Sequence, residues 1–117
     1  MIDSNNMEEE VYSPNDLYIA FGVTFLGTIN VPGTAQINGS VTGELTSNIL
    51  NIGPQGYFKG KVRAKEIDVA GTLMENIECQ GLLKIRKTGK VFGQLFYADL
   101  DIERGGQFEG QMVNSSK

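Results

Sequence analysis

Apolar and polar positions alternate along this chain in short runs, and the runs repeat. Leu83-Lys84-Ile85 is followed, after a turn, by Gly89-Lys90-Val91-Phe92-Gly93-Gln94-Leu95. The phrase returns as Leu100-Asp101-Ile102 with Gly106-Gln107-Phe108-Glu109-Gly110-Gln111-Met112. It stands earlier as Leu50-Asn51-Ile52 with Gly56-Tyr57-Phe58-Lys59-Gly60-Lys61-Val62. In general form it is an apolar-x-apolar dyad, a turn, then Gly-x-apolar-x-Gly-x-apolar. Self-similarity at a near-fixed period decides the architecture before any local assignment.

The closing apolar position falls at Ile29, Leu45, Val62, Ile77, Leu95 and Met112, in steps of 16, 17, 15, 18 and 17 residues. The middle apolar position falls at Phe25, Val41, Phe58, Leu73, Val91 and Phe108. The second dyad member falls at Ile37, Ile52, Val69, Ile85 and Ile102, and the inner glycine at Gly27, Gly43, Gly60, Gly93 and Gly110, with Glu75 alone breaking that column. Period-2 alternation inside each window predicts strands, and no window carries a helical stripe. A single coil of this length has nowhere to bury its apolar face. A neighbour stacked ~4.8 Å away pairs the backbone and covers that face. The expected fold is therefore all-β, a single-domain parallel β-helix (solenoid) of about six coils, roughly 30 Å long at that spacing.

Residues 1–16 are polar and acidic and show no periodicity in the sequence, so they are expected to be a disordered arm; the solenoid is expected over 17–113 and a short tail over 114–117. The arm changes the reading of charge. The chain carries a net −4, but Asp3, Glu8, Glu9, Glu10 and Asp16 all lie in the arm, which leaves nine acids against ten bases beyond it. Membrane contact through Met1 and Ile2 is one role for the arm, although Glu8 to Glu10 oppose anionic lipid; a plain solvated arm is the other. No signal-peptide core or bilayer-length apolar run is present, and the lone Cys79 cannot form an internal disulfide. A cytoplasmic location is expected, at the inner face of the membrane if the arm engages lipid.

The two ends of the solenoid lack polar caps. Tyr18, Ile19, Phe21, Val23 and Phe25 make the first coil apolar, and the last coil carries Phe108 and Met112 in the core columns with no covering helix after it. Bare terminal coils are open edges that recruit other strands, and another copy of the chain is the natural neighbour. Phe92 and Phe96 fall at outward positions, with Met74 as the expected neighbour of Phe92, which suggests a lateral or partner-protein patch. Lys59, Lys61, Arg63 and Lys65 form a basic edge expected to face Glu78 and Glu109, a solvated face rather than a nucleic-acid site. Cys79 shares an inward column with Ser47 and Ala64 and reads as a small buried hydrophobe.

Histidine is absent, which removes Ser/His and Cys/His catalysis and the usual metal ligand. No phosphate-binding loop is present. Asp99, Asp101 and Glu103 read as a charged outer surface. No enzyme activity, cofactor, metal or small-molecule substrate is expected.

The recurring Gly-x-apolar-x-Gly-x-apolar phrases, at Gly39 to Leu45, Gly56 to Val62, Gly89 to Leu95 and Gly106 to Met112, together with the link Ala64 to Gly71, resemble those of the bactofilins, bacterial cytoskeletal proteins built on a right-handed parallel β-helix. The resemblance covers roughly Ile19 to Val113. It implies a right-handed helix and nucleotide-free, metal-independent polymerisation through the terminal coils. Phe21 and Phe25 at one end and Phe108 and Met112 at the other stand in the matching places. It also implies a scaffold for cell shape, polar or motility structures, often at the membrane. The alternative is a non-polymerising adaptor that binds a partner protein through Phe92 and Phe96.

Overall fold

A computed structural model describes residues 16–114. The strands are β1 (Leu17–Ile19), β2 (Thr24–Ile37), β3 (Ser40–Ile52), β4 (Tyr57–Val69), β5 (Thr72–Cys79), β6 (Leu82–Ile85), β7 (Lys90–Tyr97), β8 (Asp99–Ile102) and β9 (Gln107–Asn114). They form one 9-stranded sheet in which the pairings are parallel. The chain winds as a solenoid of about six turns, and no helix occurs among the described residues. Each coil consists of a longer strand segment carrying the Gly-x-apolar phrase and a shorter one carrying the dyad. In β2, β3 and β4 the two run together as one strand.

The repeat columns are the register of the sheet. Phe25 pairs with Val41, then Phe58, Leu73, Val91 and Phe108 in succession. Ile29, Leu45, Val62, Ile77, Leu95 and Met112 form the second stack. The dyad stack gains one member at its start, because Ile19 pairs with Ile37. These stacks make one narrow core in which Val41, Phe58, Leu73 and Val91 are all 0% exposed. Burying a side chain of this kind fully contributes about 1.5–3 kcal/mol, so the core is the main support of the fold. Ser47 is buried in the column with Ala64 and Cys79, and its hydroxyl donates to the Ile49 carbonyl at 3.2 Å. Cys79 packs there as the small hydrophobe that its column required.

Coil length varies at the links, at the passage from Cys79 to Leu83 and at a register shift inside β2 between Val31 and Thr34. The link from dyad to long segment has four residues at 20–23, 53–56, 86–89 and 103–106, but two at 38–39 and 70–71. The longer links close as β-turns, as in Gly56 N–H to the Gly53 carbonyl at 2.8 Å and Gly89 N–H to Arg86 at 2.8 Å. The ladder continues through both kinds: Gly53, Ala70, Arg86 and Glu103 each donate to the dyad residue one coil earlier, at 2.7–2.9 Å.

Inside the long segment, Gly27, Gly43, Gly60, Gly93 and Gly110 hold φ between 116° and 140°. A β-carbon on Gly43 would lie 1.9 Å from the Gly27 carbonyl oxygen, so backbone approaches backbone where the column requires glycine. Glu75, the one departure, also has positive φ, moved to 88°.

Candidate assembly interface

The columns that are fully buried at mid-height lose cover at the C-terminal end, whereas at the N-terminal end Phe25 is half-buried and Ile19, Ile29 and Val31 are still only 5–7% exposed. At the C-terminal end Phe108 is half-buried on Val91, and Met112 and Ile102 are 39% and 41% exposed. At the N-terminal end Phe25 is half-buried over Val41, and Leu17, Ile19, Val23, Phe25, Ile29 and Val31 line a concavity that opens on the core. Among the described residues, β1 pairs only with β2, β8 only with β6, and β9 only with β7. The Thr24–Val31 part of β2 is, among the same residues, paired only with β3. Within the described residues, each end thus has strand edges without a partner beside incompletely covered core, a template for a further strand.

Of the residues expected at the ends, Phe25, Phe108 and Met112 sit on core columns. Phe21 does not. It stands in the link between β1 and β2, 69% exposed and off every stack. The same edge carries an apolar residue that the columns do not announce, Leu26, which points outward and is 73% exposed. At the other end Val113 plays a similar part. A useful signal for both was available: a large apolar side chain at an outward position of a terminal coil.

The outward surfaces are mostly satisfied internally. Arg86 donates to both Asp68 carboxylate oxygens, the shortest contact being 2.7 Å, and to Glu103 Oε2 at 3.1 Å, which links three successive coils. The hydrogen bonds that Arg86 donates to Asp68 and to Glu103 raise its guanidinium above the ordinary arginine value. Arg63 pairs with Glu78 at 3.4 Å and Lys59 reaches Glu75 at 4.0 Å. Glu109 does not meet the basic edge as expected. It shares the Lys59 column, but Met74 and Phe92 lie between, three coils away in all. Met74 and Phe92 are direct register partners, and Phe96 lies opposite Glu78. All three are half-buried, and the Tyr57 hydroxyl contacts Met74 Sδ at 3.3 Å, so this patch is less open than either end. Met1 and Ile2 lie outside the described residues. Among the described residues, no group of three or more His, Cys, Asp or Glu could hold a metal ion, and no helix is long and apolar enough to cross a membrane.

Comparison with known proteins agrees with the fold. Residues 17–113 match the profile of a family described as Bactofilin, polymer-forming cytoskeletal. The chain is similar to bactofilin BacP of Myxococcus xanthus (strain DK1622), with 26% identity over 110 residues, 93% of this chain and 43% of that protein. It therefore spans less than half the length of this relative. No solved structure matches. A solenoid whose repeat columns run from end to end, matched by the family profile over nearly all its length, places this chain in the bactofilin family of polymer-forming cytoskeletal proteins.

Proposed function

We propose that this chain is a structural subunit that assembles end to end into filaments without a nucleotide, its terminal coils stacking as internal ones do. The observation that carries this reading is the contrast within single columns: Val91 and Leu95 are 0% exposed, while Phe108 is only half-buried and Met112 is 39% exposed at the end of the same stacks. Apolar burial alone is not enough. Covering each partly exposed terminal side chain gains about 1 kcal/mol, against a cost of about 4–15 kcal/mol for associating two bodies. The ladder must supply the rest, at about 0.5–1.5 kcal/mol for each backbone hydrogen bond formed across the junction. Assembly accordingly depends on strand register as much as on the apolar end.

A scaffolding role in cell shape, polar or motility structures follows from the family. Attachment to a membrane rests on the arm, with Met1 and Ile2 as the contact. A lateral role for Met74, Phe92 and Phe96 comes second to the ends, because Met74 and Phe92 are register partners and all three side chains are half-buried. Light scattering of the purified chain without nucleotide tests the reading. Phe25→Arg and Phe108→Arg are expected to reduce the large species, whereas Phe92→Ser should leave it in place. Unchanged scattering from both terminal variants, with loss only in Phe92→Ser, would move the function to the lateral face.

A further inference from the structure

One outward column of the solenoid is complementary to itself when reversed. The register stacks Lys59, Met74, Phe92 and Glu109 on four successive coils, each one residue after the core column of Phe58, Leu73, Val91 and Phe108. The order is base, apolar, apolar, acid. The neighbouring outward column holds Tyr57, Thr72, Lys90 and Gln107, and the Tyr57 hydroxyl touches Met74 Sδ, so the two columns share one side. Lys59 and Glu109 lie three coils apart, about 14 Å at the spacing of paired strands, too far to meet within one chain. Lys59 reaches only Glu75, at 4.0 Å and half exposed, and among the described residues Glu109 has no ion-pair partner.

We propose that this side pairs with the same side of a second copy running antiparallel, about a two-fold axis between the Met74 and Phe92 coils. Met74 then meets Phe92 of the second copy and Lys59 meets its Glu109, each contact being made twice, as in any isologous interface. The neighbouring column sets Tyr57 against Gln107 and Thr72 against Lys90, with no like charges opposed. Other arrangements lose this match. A shift of one coil sets Lys59 against Phe92, or Met74 against Glu109. A parallel pair exchanges the two columns, which sets Met74 against Thr72 and Glu109 against Gln107. Four coils of two columns cover about 250 Å² per copy, against about 600–1,000 Å² per partner in stable complexes. Free copies therefore pair weakly. In a filament the side recurs once per subunit, and linked contacts add, so lateral pairing follows end-to-end assembly. That consequence rests on the end-to-end reading above; the pairing itself does not.

Two arms test the two halves. In a Cys79→Ser, Phe108→Arg background, chains carrying Lys59→Cys and chains carrying Glu109→Cys are mixed in equal amounts and oxidised in a glutathione buffer. The mixed pair keeps one native contact, Lys59 of one chain on Glu109 of the other. Its disulfide is expected to form about tenfold faster than either same-site disulfide, against about twofold for chance collision. A ratio of about twofold or less overturns the pairing. In the second arm, negative-stain microscopy of the otherwise native chain is expected to show filaments side by side in pairs. Lys59→Glu, which opposes like charges, and Phe92→Ser should leave single filaments, and Lys59→Glu with Glu109→Lys should restore the pairs. Single native filaments, pairs undiminished in Lys59→Glu, or no restoration in the double variant overturn the pairing of filaments. Absence of filaments in every variant overturns the end-to-end reading, and the disulfide arm still decides the pairing.

Discussion

Glu75 holds a backbone conformation that its column reserves for glycine, at φ 88°. That conformation costs an L-residue about 1–2 kcal/mol, only partly offset by the greater freedom glycine has when unfolded. The pair with Lys59 adds little, since both side chains are about half exposed. Glu75→Gly is therefore expected to raise stability by about 0.5–1 kcal/mol in urea melts. The opposite change at Gly43 should be severe. Gly43→Ala sets a β-carbon against the Gly27 carbonyl and is expected to cost about 2–3 kcal/mol by the same melts. Cys79 reports on stability through its chemistry. Burial pushes its thiol above the ordinary value of 9.0, so the folded chain favours the neutral form. That contribution is complete below pH 9.0 and is lost as pH rises toward the folded value, because the unfolded chain releases its proton first. Stability should fall at alkaline pH, less so in Cys79→Ser, and a thiol reagent at neutral pH should label only as fast as the chain opens.

At the scale of strands and turns, the Asp68–Arg86–Glu103 link ties the dyad faces of three coils together on a half-exposed surface. Arg86→Met is expected to lower the melting temperature modestly at low salt, and the difference should shrink as salt screens the wild-type pairs. Phe58→Ala, which empties a position fully buried between Val41 and Leu73, is expected to cost about 3–5 kcal/mol by denaturant titration, far more than Arg86→Met. The strand register was almost wholly legible in the sequence, because a side-chain column in a parallel solenoid is a sequence column with gaps. The corners were less legible. Two-residue and four-residue links both preserve the ladder, so the core pattern does not distinguish them. The placing of Glu109 near Lys59 failed for a related reason: closeness in the repeat says nothing of how many coils intervene. Phe21, which the family resemblance matches to a terminal core place, stands in a link and outside every column.

For the whole molecule, the proposed function lies in what the ends lack rather than in any pocket on the sides. Both ends carry acids, Asp16 at one and Asp99, Asp101 and Glu109 at the other, and the chain is net −4. End-to-end assembly should therefore strengthen as added salt screens repulsion between subunits, and light scattering across a salt series checks this. The central claim is that a missing coil at each end is supplied by another copy of the chain. Negative-stain electron microscopy of the purified protein without nucleotide, beside Phe108→Arg of unchanged circular dichroism, tests it most directly. The account predicts unbranched filaments in the native chain and their absence in the variant. Small uniform particles from both across salt and concentration, or filaments undiminished in Phe108→Arg, would contradict it.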